Sequence, residues 1–320
     1  MKRPRGKWTA CALCAVVTLA SCMALHAEIV EEVVRVPVQV RRSWGRQHAQ
    51  DIVVTLWRDD RFPGPLPVAL LGHGRSHLPD ERAAVGRTHM TRAARWLAER
   101  GFLAASPIRI GYGDSGGPDL EDSGPCDRKE YPPAYAVAAD QTLQVLAALR
   151  ERPDVARDRA VVIGQSFGGT TAITIAARNP PGVQAVVNFA GGGGGNPVDR
   201  PQQPCAPGGL GAMFREYGST ARVPSLWVYT ENDLFFGPHY PKSWFEGFQA
   251  KGGVGVFAAQ PAFGTNGHAL FARGMNLWGP QVEAFLRAQN ALPQPAPGRT
   301  TAPVAAVSAS ATAASAATAP

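Results

Sequence analysis

The sequence has little of what metal and redox centres require. It contains five cysteines in 320 residues, and its His, Cys, Asp and Glu residues nowhere show the spacing of metal ligands. Its one long glycine run, residues 191–195, is not followed by Lys-Ser or Lys-Thr and is therefore no phosphate-binding loop. We predict a protein that works without a metal or other cofactor.

Strong net charge is also missing. The formal charge is +7, and four of those charges belong to basic residues among the first seven positions, which leaves about +3 for the rest of the chain. Basic runs interleaved with aromatic residues do not occur, so we predict no nucleic-acid partner. An apolar content of 45% over 320 residues suffices for one globular domain with a large core.

Residues 1–27 have the pattern of a bacterial export signal, with a basic start and an uncharged run over residues 8–25. Cleavage after Ala27 would release a periplasmic or secreted protein. A transmembrane anchor is one alternative. Another is a lipoprotein, because Leu-Ala-Ser-Cys at residues 19–22 resembles a lipobox. We expect membrane association only if Cys22 is lipidated.

Two cysteines, Cys126 and Cys205, lie beyond this segment. In an oxidising compartment such a pair usually forms a disulfide, and two free thiols are the alternative. Residues 291–320 are rich in Ala, Thr, Ser and Pro and cannot bury enough surface to order themselves, so we expect a disordered tail. Residues 28–290 remain as the folded domain.

Hydrophobic patterning predicts a doubly wound, mostly parallel, eight-stranded α/β sheet that is entered through an antiparallel N-terminal hairpin. Short apolar runs without polar alternation are typical of parallel strands that are covered on both faces. The predicted strands are residues 33–40, 51–57, 68–71, 102–105, 160–163, 185–189, 225–229 and 254–258. Helical spacing or composition predicts helices at residues 88–100, 134–150, 167–178, 241–251 and 270–290.

The strongest functional signal is Gly-Gln-Ser-Phe-Gly-Gly at residues 164–169, between a predicted strand and a predicted helix. This is the context of a nucleophile elbow, in which a tight reversal exposes the serine hydroxyl above the sheet. Glycines are needed beside Ser166 because side chains there would collide. The alternative is a glycine-rich turn with a helix-capping serine.

A serine nucleophile needs a base that removes its proton and an acid that orients the base. Asp233 follows a predicted strand, where open α/β sheets place their sites. His268 follows it in a glycine-containing loop before the last helix. We predict Asp233 as the acid and His268 as the base, with Glu231 and His239 as the respective alternatives.

Acyl transfer also needs donors for the oxyanion, and backbone amides usually supply them. We predict the amide of Phe167, next to the nucleophile, and the amide of Arg75, in the loop Gly-His-Gly-Arg at residues 72–75. His73 is interpreted as a structural residue of that loop.

These motifs, together with Tyr-Gly-Asp-Ser-Gly at residues 112–116, resemble the α/β-hydrolase superfamily, and more narrowly its dienelactone-hydrolase-like members. The resemblance implies the α/β-hydrolase fold over the folded domain, which would be catalytic. Dienelactone hydrolases carry a cysteine nucleophile, whereas this chain has Ser166, which points towards ester hydrolysis. Tyr112, Phe235 and Trp227 are candidates for contact with a small-molecule ester substrate.

We therefore predict an exported carboxylic ester hydrolase that forms an acyl-enzyme on Ser166. Two alternatives stay open: acyl transfer or peptide cleavage by the same three residues, and a noncatalytic binding protein of the same fold. The glycine run at residues 191–195 is either a mobile wall of the acyl pocket or a plain connector. A disulfide between Cys126 and Cys205 would make two rims of that pocket rigid.

Overall fold

The computed structural model describes residues 28–41, 45 and 47–293. The predicted export signal with Cys22 lies outside the described residues, and so do residues 294–320 of the predicted tail.

A single eight-stranded sheet forms the centre of the molecule. Its strands are β1 (Ile29–Arg41), β2 (Gln47–Asp59), β3 (Leu66–Gly72), β4 (Leu103–Pro107), β5 (Val155–Gln165), β6 (Val183–Phe189), β7 (Ser225–Thr230) and β8 (Gly255–Gln260). The spatial order is β1-β2-β4-β3-β5-β6-β7-β8. β1 pairs with β2 and β2 with β4 in antiparallel fashion, and all other neighbours are parallel. The predicted sheet with its N-terminal hairpin is thereby confirmed.

Helices cover both faces of this sheet. They are α1 (Pro79–Ala83), α2 (Thr91–Ala98), α3 (Tyr131–Arg150), α4 (Phe167–Arg178), α5 (Pro207–Thr220), α6 (His239–Ala250), α7 (Leu270–Arg273) and α8 (Met275–Ala288). Successive residues of β3 belong to different cores: Leu70 packs with α3 and α4, whereas Leu71 packs with α2 and α8. Burial on both faces explains why the central strands read as continuous apolar runs.

Two helical predictions need correction. The helix Pro207–Thr220 was not predicted, although Pro207 stands in its first turn and Leu210, Met213 and Phe214 have helical spacing. The predicted last helix is divided at Gly274 into α7 and α8.

Candidate active site

Ser166 lies at the junction of β5 and α4, in a backbone conformation that few residues adopt. Its φ is 57° and its ψ is −122°, which is strained for a residue with a side chain. A Cβ on Gly164 would lie 2.0 Å from the Gly168 carbonyl oxygen, and one on Gly168 would lie 2.2 Å from that of Gly72. The glycines beside Ser166 are therefore sterically required, as the sequence predicts.

The serine side chain is not used for local structure. Ser166 occupies the N-cap position of α4, but its hydroxyl caps no backbone N–H. The helix starts instead from backbone bonds, in which the amides of Gly169 and Thr170 donate to the Ser166 carbonyl oxygen. The alternative of a helix-capping serine is wrong, and the hydroxyl is left for other chemistry.

Asp233 and His268 are joined by a hydrogen bond. Asp233 follows β7 and is fully buried, and His268 lies in a short 3₁₀ turn, Gly267–Ala269. His268 Nδ1 lies 2.9 Å from Asp233 Oδ2. The other carboxylate oxygen accepts from the amides of Phe235, at 2.7 Å, and Phe236, at 3.3 Å. These bonds fix the carboxylate and, through it, the plane of the imidazole.

Aromatic rings enclose the imidazole of His268. Phe235 stacks on it with 4.1 Å between ring centroids, and Phe236 meets it edge-on at 5.6 Å. The Gln165 side chain donates to the His268 carbonyl oxygen at 3.1 Å, which ties this loop to the strand end that bears Ser166. Among the described residues no hydrogen bond joins the His268 ring to the Ser166 hydroxyl. Such bonds often form only when substrate binds.

The alternative acid and base lie apart from this pair. Glu231 is exposed, at the start of the loop in which Asp233 is buried. His239 is also exposed, at the start of α6, and its ring packs against Tyr240. The geometry thus favours Asp233 and His268 over both alternatives.

The loop after β3 lies against the nucleophile. A Cβ on Gly74 would lie 3.3 Å from Ser166 Cβ and 3.8 Å from its hydroxyl oxygen. The next residue is Arg75, whose amide is the second predicted oxyanion donor. His73 is buried, and its Nδ1 lies 2.8 Å from the Gly74 carbonyl oxygen. Its structural interpretation agrees with this position, because its ring bonds to backbone groups.

The three residues predicted to contact substrate have different surroundings. Phe235 is half-buried beside His268 and remains a candidate. Trp227 is fully buried, and its ring packs against Phe214 and Phe245. Tyr112 is fully buried as well, beneath the Arg75 side chain. The predictions for Trp227 and Tyr112 are wrong, because both rings lie in the interior and expose no surface to a substrate.

The glycine run at residues 191–195 begins two positions after β6 and is held from one side by hydrogen-bond donors. In chain order the donors to its first four carbonyl oxygens are Tyr229 Oη at 2.8 Å, Tyr135 Oη at 2.9 Å, Tyr131 Oη at 3.2 Å and the Cys205 amide at 2.9 Å. The Tyr131 hydroxyl is shared, because it lies closer still to the Cys205 carbonyl oxygen. From the other side, Phe235 and Phe236 press on it. The run packs against the two phenylalanines that contact His268, and its role as a wall of the acyl pocket stays a prediction.

Cys126 and Cys205 form a disulfide, as predicted, across a sequence separation of 79 residues. Cys126 lies in the segment before α3, and Cys205 lies just before α5. Because the Cys205 amide donates to the Gly194 carbonyl oxygen, the disulfide also anchors the end of the glycine run.

Sequence reasoning missed a buried ion pair behind the loop after β3. The side chains of Arg109 and Glu121 are 1% and 0% exposed, and Arg109 Nε lies 2.6 Å from Glu121 Oε1. A signal was present, because Arg109 stands between Ile108 and Ile110, just after a buried strand. A charge in such a stretch needs a buried partner.

Within the described part of the chain, no group of three or more His, Cys, Asp or Glu side chains could hold a metal ion. None of the helices between residues 28 and 293 is both long enough and apolar enough to cross a membrane.

Comparisons with known proteins agree with this architecture. Residues 82–208 match the model of the dienelactone hydrolase family. An S-formylglutathione hydrolase from Agrobacterium tumefaciens is similar in structure, with a TM-score of 0.53 and 15% identity over 84% of this chain and 99% of that one. An acetyl xylan esterase from Paenibacillus sp. R4 gives 0.51 and 15% over 83% and 89% of the two chains.

An esterase from Pyrococcus furiosus gives a TM-score of 0.52 with 12% identity, over 80% of this chain and 91% of that one. No curated protein matches the sequence. At such low identities the structural likenesses establish the fold, and the activity has to be argued from the site.

Proposed function

We propose that this chain, a member of the α/β-hydrolase superfamily, hydrolyses carboxylic esters through an acyl-enzyme on Ser166. His268 is the general base, and Asp233 orients it. One observation carries the proposal: the buried Asp233 carboxylate holds the His268 imidazole at 2.9 Å, in a loop bonded to the strand end that bears the strained serine.

The general base, His268, is oriented by its hydrogen bond to Asp233. The Asp233 carboxylate accepts the Nδ1–H of His268, so the neutral imidazole presents an unprotonated Nε2 to the site. The amides of Phe235 and Phe236 hold the same carboxylate from behind. The loop that carries Asp233 and the loop that carries His268 are thereby fixed relative to each other before substrate arrives. This lowers the entropic cost of orienting the general base.

Acylation follows from this arrangement. The Ser166 oxygen attacks the ester carbonyl carbon while His268 Nε2 takes its proton, and the carbonyl electrons move to oxygen. The amides of Phe167 and Arg75 donate to that oxyanion. Its collapse breaks the bond to the alcohol oxygen, which leaves with the proton from the imidazolium, and the acyl group remains on Ser166.

Deacylation repeats the same steps with water. His268 takes a proton from a water molecule as the water oxygen attacks the acyl carbon, and a second oxyanion forms between the same amides. Collapse returns the proton to the Ser166 oxygen and releases the carboxylic acid.

The test uses a fluorophosphonate probe and a short aryl ester. Ser166→Ala should abolish labelling and lower kcat by at least about 10³-fold, since the nucleophile is lost. Ser219→Ala is the matched control, because Ser219 is exposed on α5 and its hydroxyl donates only to a local carbonyl, that of Glu216. Undiminished labelling of Ser166→Ala would refute the nucleophile. A wild-type chain that neither reacts nor hydrolyses would favour a binding protein, and faster cleavage of peptides would favour a peptidase.

Export is a second part of the proposal. The Cys126–Cys205 disulfide fits an extracellular or periplasmic protein, because disulfides persist mainly in oxidising compartments. We expect cleavage after Ala27, with residues 28–290 as the catalytic domain and residues 291–320 as a tail, of which Ala291 and Leu292 are buried against the core. Intact mass measurement of the exported protein would give its first residue, and fatty-acid labelling that Cys22→Ala removes would indicate a lipoprotein instead.

A further inference from the structure

A buried guanidinium lies directly behind the loop that carries Arg75. Arg109 follows β4, and its side chain is 1% exposed. Glu121 neutralises it through two contacts, Nε–Oε1 at 2.6 Å and Nη2–Oε2 at 3.2 Å. Tyr112 donates its hydroxyl to the same carboxylate at 2.6 Å. The ion pair is thus fixed in place and shielded from water.

Two further donors of this guanidinium point to backbone carbonyls. Arg109 Nη1 donates to the His73 carbonyl oxygen at 3.0 Å, and Nη2 approaches the Gly74 carbonyl oxygen at 3.5 Å. The His73 ring reinforces the second contact, because its Nδ1 lies 2.8 Å from the same Gly74 oxygen. The two peptides that precede Arg75 are therefore held from one side.

Holding the Gly74 carbonyl also sets the direction of the Arg75 amide. The two groups belong to one planar trans peptide, in which C=O and N–H point in opposite directions. Donors that draw the Gly74 oxygen towards Arg109 must turn the Arg75 N–H the other way. Gly74 borders Ser166, within 3.3 Å of Ser166 Cβ for a Cβ placed on the glycine, so the orientation of this peptide decides where that N–H points.

The same guanidinium touches the other predicted donor. Its carbon lies 5.5 Å from the ring centroid of Phe167, and the Phe167 ring is stacked from the other side on Tyr135 at 4.3 Å. One side chain thus contacts the Phe167 ring and the carbonyl oxygen of the peptide whose N–H belongs to Arg75.

His73 acts as a relay in this arrangement. Its Nε2 accepts from the Arg109 amide at 3.2 Å, so the proton resides on Nδ1, which donates to Gly74. Burial, and after it the nearby Arg109 cation, lowers the pKa of His73 well below its usual range. The ring is therefore neutral, and the relay keeps one tautomer.

Stability alone does not account for a charged pair at this place. A buried ion pair loses hydration on both partners, and well-packed apolar side chains of similar volume are often equally stable or more so. What apolar side chains would lack is the rigid fork of N–H donors, which lysine also lacks.

We propose that Arg109 is a positioning residue that sets the geometry of the oxyanion donors, with Glu121 and His73 as its fixed partners. The inference rests on the proposed ester hydrolysis. Arg109 touches neither substrate nor the reacting atoms, and it acts through the Gly74–Arg75 peptide and the Phe167 ring.

The test compares kcat, KM and the affinity of an aryl boronic acid, a tetrahedral analogue, in wild type and Arg109→Lys. Lysine keeps the charge, but its three N–H donors on one nitrogen cannot replace the four contacts that the planar guanidinium makes to Glu121 and the two carbonyls. We expect kcat to fall about 10²-fold, as when one oxyanion donor is lost, with KM within twofold and the boronic acid bound more weakly by a similar factor. Arg152→Lys is the control, because Arg152 bonds through both of its Nη atoms to Glu32 and Asp154, in a pair that is partly exposed. It should leave all three values within twofold.

Tyr112→Phe covers the case in which Arg109→Lys does not fold. It removes the bond to Glu121 and the longer contact from Arg75 Nη1, and it should lower kcat by about threefold to tenfold, with KM unchanged. An active wild type with unchanged kcat in these variants would overturn the positioning role alone, and so would a loss that appears only in KM. A wild type without ester hydrolysis would overturn the proposed function together with this inference.

Discussion

Two loops lie at the candidate active site, the first against Ser166 and the second against the rings of Phe235 and Phe236. Both are held through their carbonyl oxygens, but by different chemistry. The loop of residues 72–77, here called the oxyanion loop, is held by the guanidinium groups of Arg109 and Arg82. The glycine run at residues 191–195 is held by the neutral hydroxyls of three tyrosines.

The difference follows from what each loop has to do. Charge-assisted hydrogen bonds are roughly twice as strong as neutral ones and, through arginine, more directional. They suit a loop whose amide is proposed to bind a developing negative charge. Tyrosine hydroxyls need no counter-ion in the interior, so they suit a wall that only has to keep its shape.

The largest expected effect on the free energy of unfolding is at Glu121, the buried counter-ion of Arg109. Glu121→Leu leaves the Arg109 charge without its partner, and breaking a buried pair in this way costs about 3–5 kcal/mol. Urea unfolding of the purified protein, with the slope compared between variants, would measure the loss.

The control for that experiment is Asp140→Ala. Asp140 pairs with Arg178 at the surface, where the side chains are 41% and 32% exposed, and such pairs contribute less than about 1 kcal/mol. A similar loss in both variants would mean that the oxyanion loop gains nothing special from its buried charges.

The disulfide should have the second largest effect. Cys126→Ser together with Cys205→Ser removes a link across 79 residues, which typically lowers stability by about 2–4 kcal/mol. Because the Cys205 amide holds the Gly194 carbonyl oxygen, hydrogen exchange should accelerate in the glycine run and not in the oxyanion loop. Equal acceleration in both loops would show that they are not held separately. Reductant should have no further effect on the double variant.

Some features of the fold and of the candidate site could be predicted from the sequence, because their signals are local along the chain. The positions of the three candidate catalytic residues in the fold were predictable. Ser166, Asp233 and His268 each follow or neighbour an apolar strand, in the chain order expected for this fold. The steric demand at Gly164 and Gly168 was also foreseeable, because a tight strand-to-helix turn leaves no room for side chains.

The supporting contacts were not predictable, because they join residues far apart along the chain. Nothing local links Tyr131 to residue 193, or Arg109 to residue 73. The error at Trp227 has a related cause: an aromatic residue on a strand covered on both faces reads the same whether it lines a pocket or fills the core. Pairing in three dimensions decides between the two.

The tyrosine hydroxyls come third in expected effect. Tyr131→Phe, Tyr135→Phe and Tyr229→Phe each leave a carbonyl of the glycine run without its donor, at a cost of about 1 kcal/mol apiece. Tyr240→Phe is the control, since that ring stacks on Trp244 and its hydroxyl makes no hydrogen bond within residues 28–293 that the structure describes. Thermal unfolding at neutral pH would rank the four variants, and a larger loss at Tyr240 would contradict the role of the hydroxyls.

The smallest effect is expected in the pH dependence of stability. The oxyanion loop should lose stability at low pH, and the glycine run should lose it at high pH. The pKa of His73 is held well below its ordinary value of 6.5 by burial and by Arg109. The unfolded chain therefore takes up a proton first, and stability from this group is present above that value and is lost as pH falls below it. Burial raises the pKa of Tyr135 well above its ordinary value of 10.0, so its contribution is present below that value and is lost as pH rises above it.

Thermal unfolding from pH 5.5 to 10.5 would separate these effects. His73→Gln should flatten the acid side of the stability curve, and Tyr135→Phe should flatten the alkaline side. Each change is small, because within one pH unit of the ordinary value only part of the unfolded chain has changed its charge. If His73→Gln left the acid side unchanged, the neutral ring could not be the relay between Arg109 and Gly74. The oxyanion loop would then depend on the guanidinium alone.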